Sequence, residues 1–236
     1  MSEGIVSSDI TFSYGKKKIL NQLSFQIPCS SITYLAGDNG AGKTTWIKIA
    51  ADLLARHEGT VTYAGEPFSK IREQFGIVFD IPAVYPKLSG YDNMRILYDV
   101  AINKEAKSLL EDMGFDRRMM RMKAGEYSLG QRHRFGIAGA LLRNPRFLFL
   151  DEPDIGLDPK AWEMVSDKLL TYKNRGAAIL VTGQNFDALD VIADRIVILH
   201  NGRTLFEGST AEFKNQKENS SFTLKQAFEN TKQKVE

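Results

Sequence analysis

The sequence predicts an α/β fold: a mostly parallel sheet with helices on its faces. Three observations predict it. Apolar strand-like runs alternate with helical periods over 146–208, a glycine-rich loop joins a strand to a helix after residue 36, and a charged helical stretch at about 86–145 is inserted between strand-like segments. With 236 residues, 43% of them apolar, the chain can bury one substantial core. Lys and Arg number 31 against 29 acidic residues, and a net charge of +2 gives no nucleic-acid footprint. The single Cys29 excludes an internal disulfide framework and fits a reducing compartment. The start, MSEGIVSSDI, lacks the basic and apolar regions of a secretory signal. No run reaches the ~20 apolar residues of a bilayer span. The expectation is a soluble chain, for which any membrane role must come through a partner.

Taken in order, IVSSDITFSYG, ILNQLSFQI and SITYLA read as strands, with YGKKK as a hairpin tip. After Lys43 the period changes: Ile47, Ala50, Ala51 and Leu54 recur at helical spacing. TVTYAG and FGIVF return to strand character, and residues 86–145 read as mostly helical, rich in Arg, Lys and Met. Then come the strand RFLFL, a helix around Trp162–Tyr172, the strand AAILVTG, a helix around Asp187–Ala193 and the strand RIVIL. In the tail SFTLKQAFENTKQKVE, Leu224, Ala227 and Phe228 share one face of a small amphipathic docking helix.

Chemistry concentrates at three places. GDNGAGKT fits G-x-x-x-x-G-K-[ST] between a strand and a helix, the context that motif requires. Its glycines let backbone N–H groups converge on phosphate oxygens, and the helix N-terminus adds its positive end. Lys43 would reach the β- and γ-phosphates, and the Thr44 hydroxyl can ligate Mg²⁺. In RFLFLDEPDIGLDP an apolar strand ends on Asp151, placed to hold Mg²⁺, and Glu152, a candidate base for a hydrolytic water. EYSLGQRHRF puts Ser128, Gly130 and Gln131 ahead of a helix through Ile137 and Leu141; alone it is a cap and a helix start.

In this order the motifs resemble those of the ATP-binding cassette (ABC) ATPases, the nucleotide-binding subunits of membrane transporters, over nearly the whole chain. GDNGAGKTT resembles the Walker A loop, which implies ATP contacts from Gly37, Asp38, Asn39, Gly40, Ala41, Gly42, Lys43, Thr44 and Thr45. FLFLDEP resembles the Walker B strand, YSLGQ the signature loop, and IGLD, ending at Asp158, the D-loop. Tyr14 in FSYG falls where the family stacks an aromatic ring on adenine. The resemblance implies a single ABC ATPase domain with a P-loop NTPase (RecA-like) core over about 1–85 and 146–208. An N-terminal antiparallel β subdomain, an inserted α-helical subdomain at 86–145 and a tail helix at 209–236 complete it. It implies ATP and Mg²⁺ as ligands, a second cassette subunit (the same chain or a different one) and a separate integral membrane permease. The chain would be peripheral, on the cytoplasmic side of the cell membrane, with no nucleic-acid partner. Two cassettes would meet head to tail, so that Ser128, Gly130 and Gln131 act on ATP held by the partner. The subgroup most resembled is the exporter type, including antibiotic- and peptide-resistance systems.

Three positions depart from the family pattern. Leu129 stands where glycine is usual in the signature. Asp80, in FGIVFDIPAVYP, stands where a glutamine is usual; its carboxylate remains a hard oxygen ligand for Mg²⁺. Gln184, at the carboxyl end of ILVTG, occupies the switch-loop place usually held by a histidine that bonds the γ-phosphate. Glutamine keeps a donor and loses charge and titration. A charge-assisted bond exceeds a neutral one by about 1–1.5 kcal/mol, roughly tenfold in rate. With Glu152 present, the expectation is a slower ATPase, not a dead one. The alternative is a degenerate subunit that binds ATP and leaves hydrolysis to a paired cassette. Guanine specificity is disfavoured, since INKEAK lacks the N-K-x-D order. Arg117, Arg118, Arg121 and Lys123, with Arg132 and Arg134, are expected as a solvated face, or else as a contact to permease loops or lipid head groups.

Overall fold

The computed structural model describes residues 4–215 and 223–233; positions 1–3, 216–222 and 234–236 of the N-terminal and tail readings lie outside the described residues. The chain opens with β1 (Ile5–Tyr14) and β2 (Lys17–Ile27), an antiparallel hairpin turned at Gly15, and continues into β3 (Ser31–Gly37). The glycine-rich loop leads to α1 (Lys43–Ala50), then β4 (Glu58–Tyr63), a short α2 (Phe68–Ile71) and β5 (Phe75–Val78). Four helices follow: α3 (Gly90–Tyr98), α4 (Lys104–Asp112), α5 (Arg117–Arg121) and α6 (Leu129–Leu142). Strand–helix alternation resumes with β6 (Phe147–Leu150), α7 (Pro159–Asn174), β7 (Ala178–Thr182), α8 (Phe186–Asp190) and β8 (Arg195–His200). The described chain closes with β9 (Arg203–Ser209), α9 (Thr210–Lys214) and α10 (Leu224–Lys232).

Two sheets result. One is antiparallel, β2-β1-β4; the other runs β5-β6-β7-β3-β8-β9, parallel except where β9 returns along β8. Parallel strands covered on both faces need apolar residues of both parities, and β6 supplies them. Leu148 and Leu150 join the core beneath α6 and α7, while Phe147 and Phe149 join the core that includes Trp46 of α1 and the small sheet. Trp46 ties the layers together. Its ring lies 4.6 Å from Phe25 and 5.4 Å from Phe149, and its Nε1 donates to Ser7 Oγ at 2.9 Å. That anchor fixes the helix whose first residues are Lys43 and Thr44. The carboxyl ends of β5, β6, β7 and β3 all open on one edge, where α/β sheets hold their ligands.

Several elements differ in extent from the sequence expectation. The helix after Lys43 stops at Ala50, because Asp52 takes φ +57 and Leu53 N bonds Lys48 O at 2.8 Å, so Leu54 falls beyond it. α7 begins earlier than expected, capped by Asp158, whose Oδ1 accepts from Ala161 N at 2.8 Å with proline at the first turn. α8 ends at Asp190, short of the expected Ala193. Within the tail expected as one helix at 209–236, the described residues form a short α9 and then α10, with Leu224, Ala227 and Phe228 buried on its expected face against α8 and α9. The basic residues separate: Arg117, Arg118, Arg121 and Lys123 are exposed, but Arg132 and Arg134 turn inward to the Gly125 and Met113 carbonyls at 3.0 and 2.7 Å. Among the described residues, no helix is long and apolar enough to cross a membrane.

Candidate nucleotide site

The loop between β3 and α1 is held open by its backbone. Gly42 sits at φ +108, where a side chain is strained and a Cβ would also come 2.5 Å from Leu20 Cδ2. Lys43 turns back under the loop. The residue is 6% exposed, and its Nζ donates to the carbonyls of Gly37 at 2.7 Å and Asp38 at 3.2 Å. Burial pushes the Lys43 ammonium down, while the Glu152, Asp151 and Asp38 carboxylates pull it back up. A buried ammonium resting on two carbonyls of its own loop is suited to exchange them for phosphate oxygens.

The acids reach the same place. Thr44 Oγ1 donates to Asp151 Oδ2 at 2.8 Å, across more than a hundred residues of sequence. Asp151 is 2% exposed, and its other oxygen accepts from Thr182 Oγ1 at 2.6 Å. Thr182 in turn accepts from Glu152 N at 3.0 Å. One buried hydroxyl therefore positions both acids. Sequence reading missed Thr182, whose only signal is a polar residue closing the apolar strand AILVT. Glu152 adopts φ +50, a left-handed conformation costing a non-glycine residue about 1–3 kcal/mol. That kink lets its N–H reach Thr182 while its side chain lines a cleft of about 220 Å³ with Lys17, Asn39, Lys43, Thr44 and Thr45.

Gln184, exposed at the end of β7, donates from Nε2 to Asn39 Oδ1 at 3.2 Å and to Glu152 Oε1 at 3.4 Å. It touches the glycine-rich loop and the candidate base at once. The other sequence candidates stand apart. Tyr14 is 50% exposed at the hairpin tip, edge-on to Phe12 at 4.8 Å. Asp80 is exposed, and its Oδ1 accepts from Ile81 N at 3.0 Å instead of joining the Thr44–Asp151 pair. Its main-chain carbonyl meets His133 Nε2 at 2.8 Å; burial pushes the His133 ring down, so the neutral ring donates there. Ser128 and Gln131 form a capping box: Gln131 N donates to Ser128 Oγ at 3.2 Å and Ser128 N to Gln131 Oε1 at 2.8 Å. Gly130 packs against the D-loop so closely that a Cβ would meet Gly156 O at 2.2 Å.

The donor set fits Mg²⁺. The ion takes one or two carboxylates and completes its shell with water and substrate phosphates. Thr44 and Asp151 present two hard oxygens side by side beside Lys43.

Comparison with known proteins agrees with this geometry. The family model described as ABC transporter matches residues 20–154. The lantibiotic transport ATP-binding protein SrtF of Streptococcus pyogenes is 32% identical over 201 residues, covering 83% of this chain and 86% of that protein. The doxorubicin resistance ATP-binding protein DrrA of Mycobacterium tuberculosis is 33% identical over 225 residues, covering 90% of this chain and 67% of its own. A solved structure of an ATP binding subunit of an ABC transporter superposes with a TM-score of 0.87 at 24% identity, over 97% of this chain and 99% of that one, which establishes the fold. A phosphate loop bonded to a buried aspartate, on this fold and with these relatives, leaves one assignment: the chain belongs to the ABC transporter family, as an ATP-binding subunit.

Proposed function

We propose that this ABC-family ATPase subunit binds Mg-ATP at residues 37–45, hydrolyses it with Glu152 as base, and energises a separate export permease. The observation that carries the reading is the hydrogen-bonded line Thr44–Asp151–Thr182–Glu152, which joins the phosphate loop to both acids. Lys43 exchanges its two loop carbonyls for β- and γ-phosphate oxygens, and the amides of residues 39–42 surround them. Tyr14 offers its exposed ring to the adenine. Thr44 and Asp151 would hold Mg²⁺, with Asp80 joining if its loop swings inward. Bound there, the ion neutralises developing phosphate charge.

Glu152 accepts a proton from the water that attacks the γ-phosphorus; the new P–O bond forms as the bond to the β–γ bridging oxygen breaks, giving ADP and phosphate. Gln184, already within reach of Glu152, orients that water and the γ-phosphate through its neutral amide. Such a site turns over slowly without losing the reaction, because the base itself is intact.

Ser128, Gly130 and Gln131 serve ATP held by a second cassette that meets this one head to tail. Exposed Leu129 and Ile155 beside them supply apolar surface for that contact. The permease places the chain at the cytoplasmic face of the cell membrane. Export is supported by relatives named for lantibiotic transport and doxorubicin resistance.

Lys43→Ala tests the reading. Loss of a charge-assisted contact of about 1.5–3 kcal/mol weakens ATP affinity roughly 10- to 150-fold in equilibrium titration. Unchanged affinity would overturn it.

A further inference from the structure

The tail helix is connected to the site by aromatic rings. Phe228 of α10 meets Phe186, the first residue of α8, with centroids 4.9 Å apart. Phe186 meets Tyr34 edge-on at 5.3 Å and 73°. Tyr34, fully buried on the strand that feeds the phosphate loop, donates its hydroxyl to Gly183 O at 2.9 Å. Gly183 is the residue before Gln184. A continuous run of contacts therefore passes from Phe228 through Phe186 and Tyr34 to the turn that presents the switch amide.

We infer that Tyr34 is a positioning residue for Gln184, and that docking of α10 through Phe228 keeps it in place. Gln184 is exposed and its two contacts are long, 3.2 and 3.4 Å, so its side chain does little to fix itself. The Tyr34 bond is shorter and shielded from water, where a hydrogen bond is stronger. Burial, with the Asp154 and Glu152 charges adding to it, pushes the Tyr34 phenol up, so it remains a donor across the physiological range. The ring stack sets the direction of that donor. Without Phe228 the Phe186 ring loses one wall and the Tyr34 hydroxyl its fixed aim. Such a device acts on turnover and leaves nucleotide affinity alone, since Lys43, Thr44 and Asp151 are held by other contacts.

The inference rests on the role proposed for Gln184, and a double-mutant cycle separates the two. ATPase of the full chain, purified with its permease, is measured for Tyr34→Phe, Phe228→Ala, Phe228→Leu, Gln184→Ala and the Tyr34→Phe/Gln184→Ala pair. Tyr34→Phe keeps the ring and removes one hydrogen bond; kcat falls about two- to tenfold with KM unchanged. Phe228→Ala lowers kcat in the same way, and Phe228→Leu restores most of it. In the Gln184→Ala background, Tyr34→Phe changes kcat less than about twofold. If Gln184→Ala itself leaves turnover at the parental rate, the role given to Gln184 falls and the inference with it. If Gln184→Ala slows turnover but Tyr34→Phe does not, or its loss recurs in full in the double variant, the inference alone is overturned.

Discussion

On the loop side of the nucleotide site, Lys43, Asp151 and Thr182 are 6%, 2% and 0% exposed, and the bonds among Thr44, Asp151 and Thr182 measure 2.6–2.8 Å. On the switch side, Asp80 and Gln184 are exposed, and the amide of Gln184 spans 3.2 and 3.4 Å to Asn39 and Glu152. The difference separates two tasks. Buried, mutually satisfied groups hold their geometry before the ligand arrives, so binding is preorganised. Open, loosely bonded groups take up their working geometry only when something covers them, which suits the second cassette proposed above. The two sides should therefore fail differently when mutated.

The largest expected effect tests that separation directly. Glu152→Gln keeps shape and removes the proposed base, so turnover falls about 10² to 10⁴-fold. ATP affinity, measured by titration, stays within about threefold, because the bond from Glu152 to Thr182 is made by its main chain and survives the substitution. An affinity loss as large as the loss in turnover would merge the two sides into one.

Thr182→Val sits at the joint between them. The substitution is isosteric, and it strands a carboxylate oxygen of Asp151 and the N–H of Glu152 in a buried place. Each stranded group costs about 1–3 kcal/mol, and about 2–4 °C of Tm is lost per kcal/mol in a chain this size. Turnover and affinity fall together here, unlike in Glu152→Gln. A Thr182→Val protein that melts with the parent and binds ATP normally breaks the idea that one hydroxyl positions both acids.

What the sequence made legible follows the same division. The phosphate loop, the Asp151–Glu152 pair and the capping box at Ser128 are local patterns, each written within a few neighbouring residues, and the structure builds each one in its expected element. Both strand parities of Phe147–Leu150 are apolar, so burial on two faces could be read directly. Thr182 could not, because its partners lie 30 and 31 residues away, just past the end of another strand. β9 escaped notice because only Gly208 of Arg203–Ser209 is buried and no apolar run marks it. Arg132 and Arg134 carry the pattern of a charged helix face, and nothing near them in sequence tells that the Gly125 and Met113 carbonyls wait for their guanidinium groups. Long-range polar partners are set by topology, and they are what single-chain reading loses.

The smallest effect lies under the switch side, at Asp154. Its Oδ1 is buried without a hydrogen-bond partner among the described residues, 3.1 Å from where a Cβ on Gly183 would stand. Burial pushes the Asp154 carboxyl above its ordinary range against a bond from its own main chain, and the Glu152 charge adds to the push. A folded-state value above the unfolded one means that the folded chain holds this proton more tightly. The contribution to stability is therefore complete below the ordinary value of 3.8 and is lost as pH rises through the raised one. Asp154→Asn is neutral at every pH and removes that loss. At pH 7 its Tm should exceed the parent's, and the gap should close as the pH falls toward the ordinary carboxylate range. A gap independent of pH, or of opposite sign at pH 7, would show that the rim carries no uncompensated charge, and the contrast between a satisfied loop side and a strained switch side would rest on bond lengths alone.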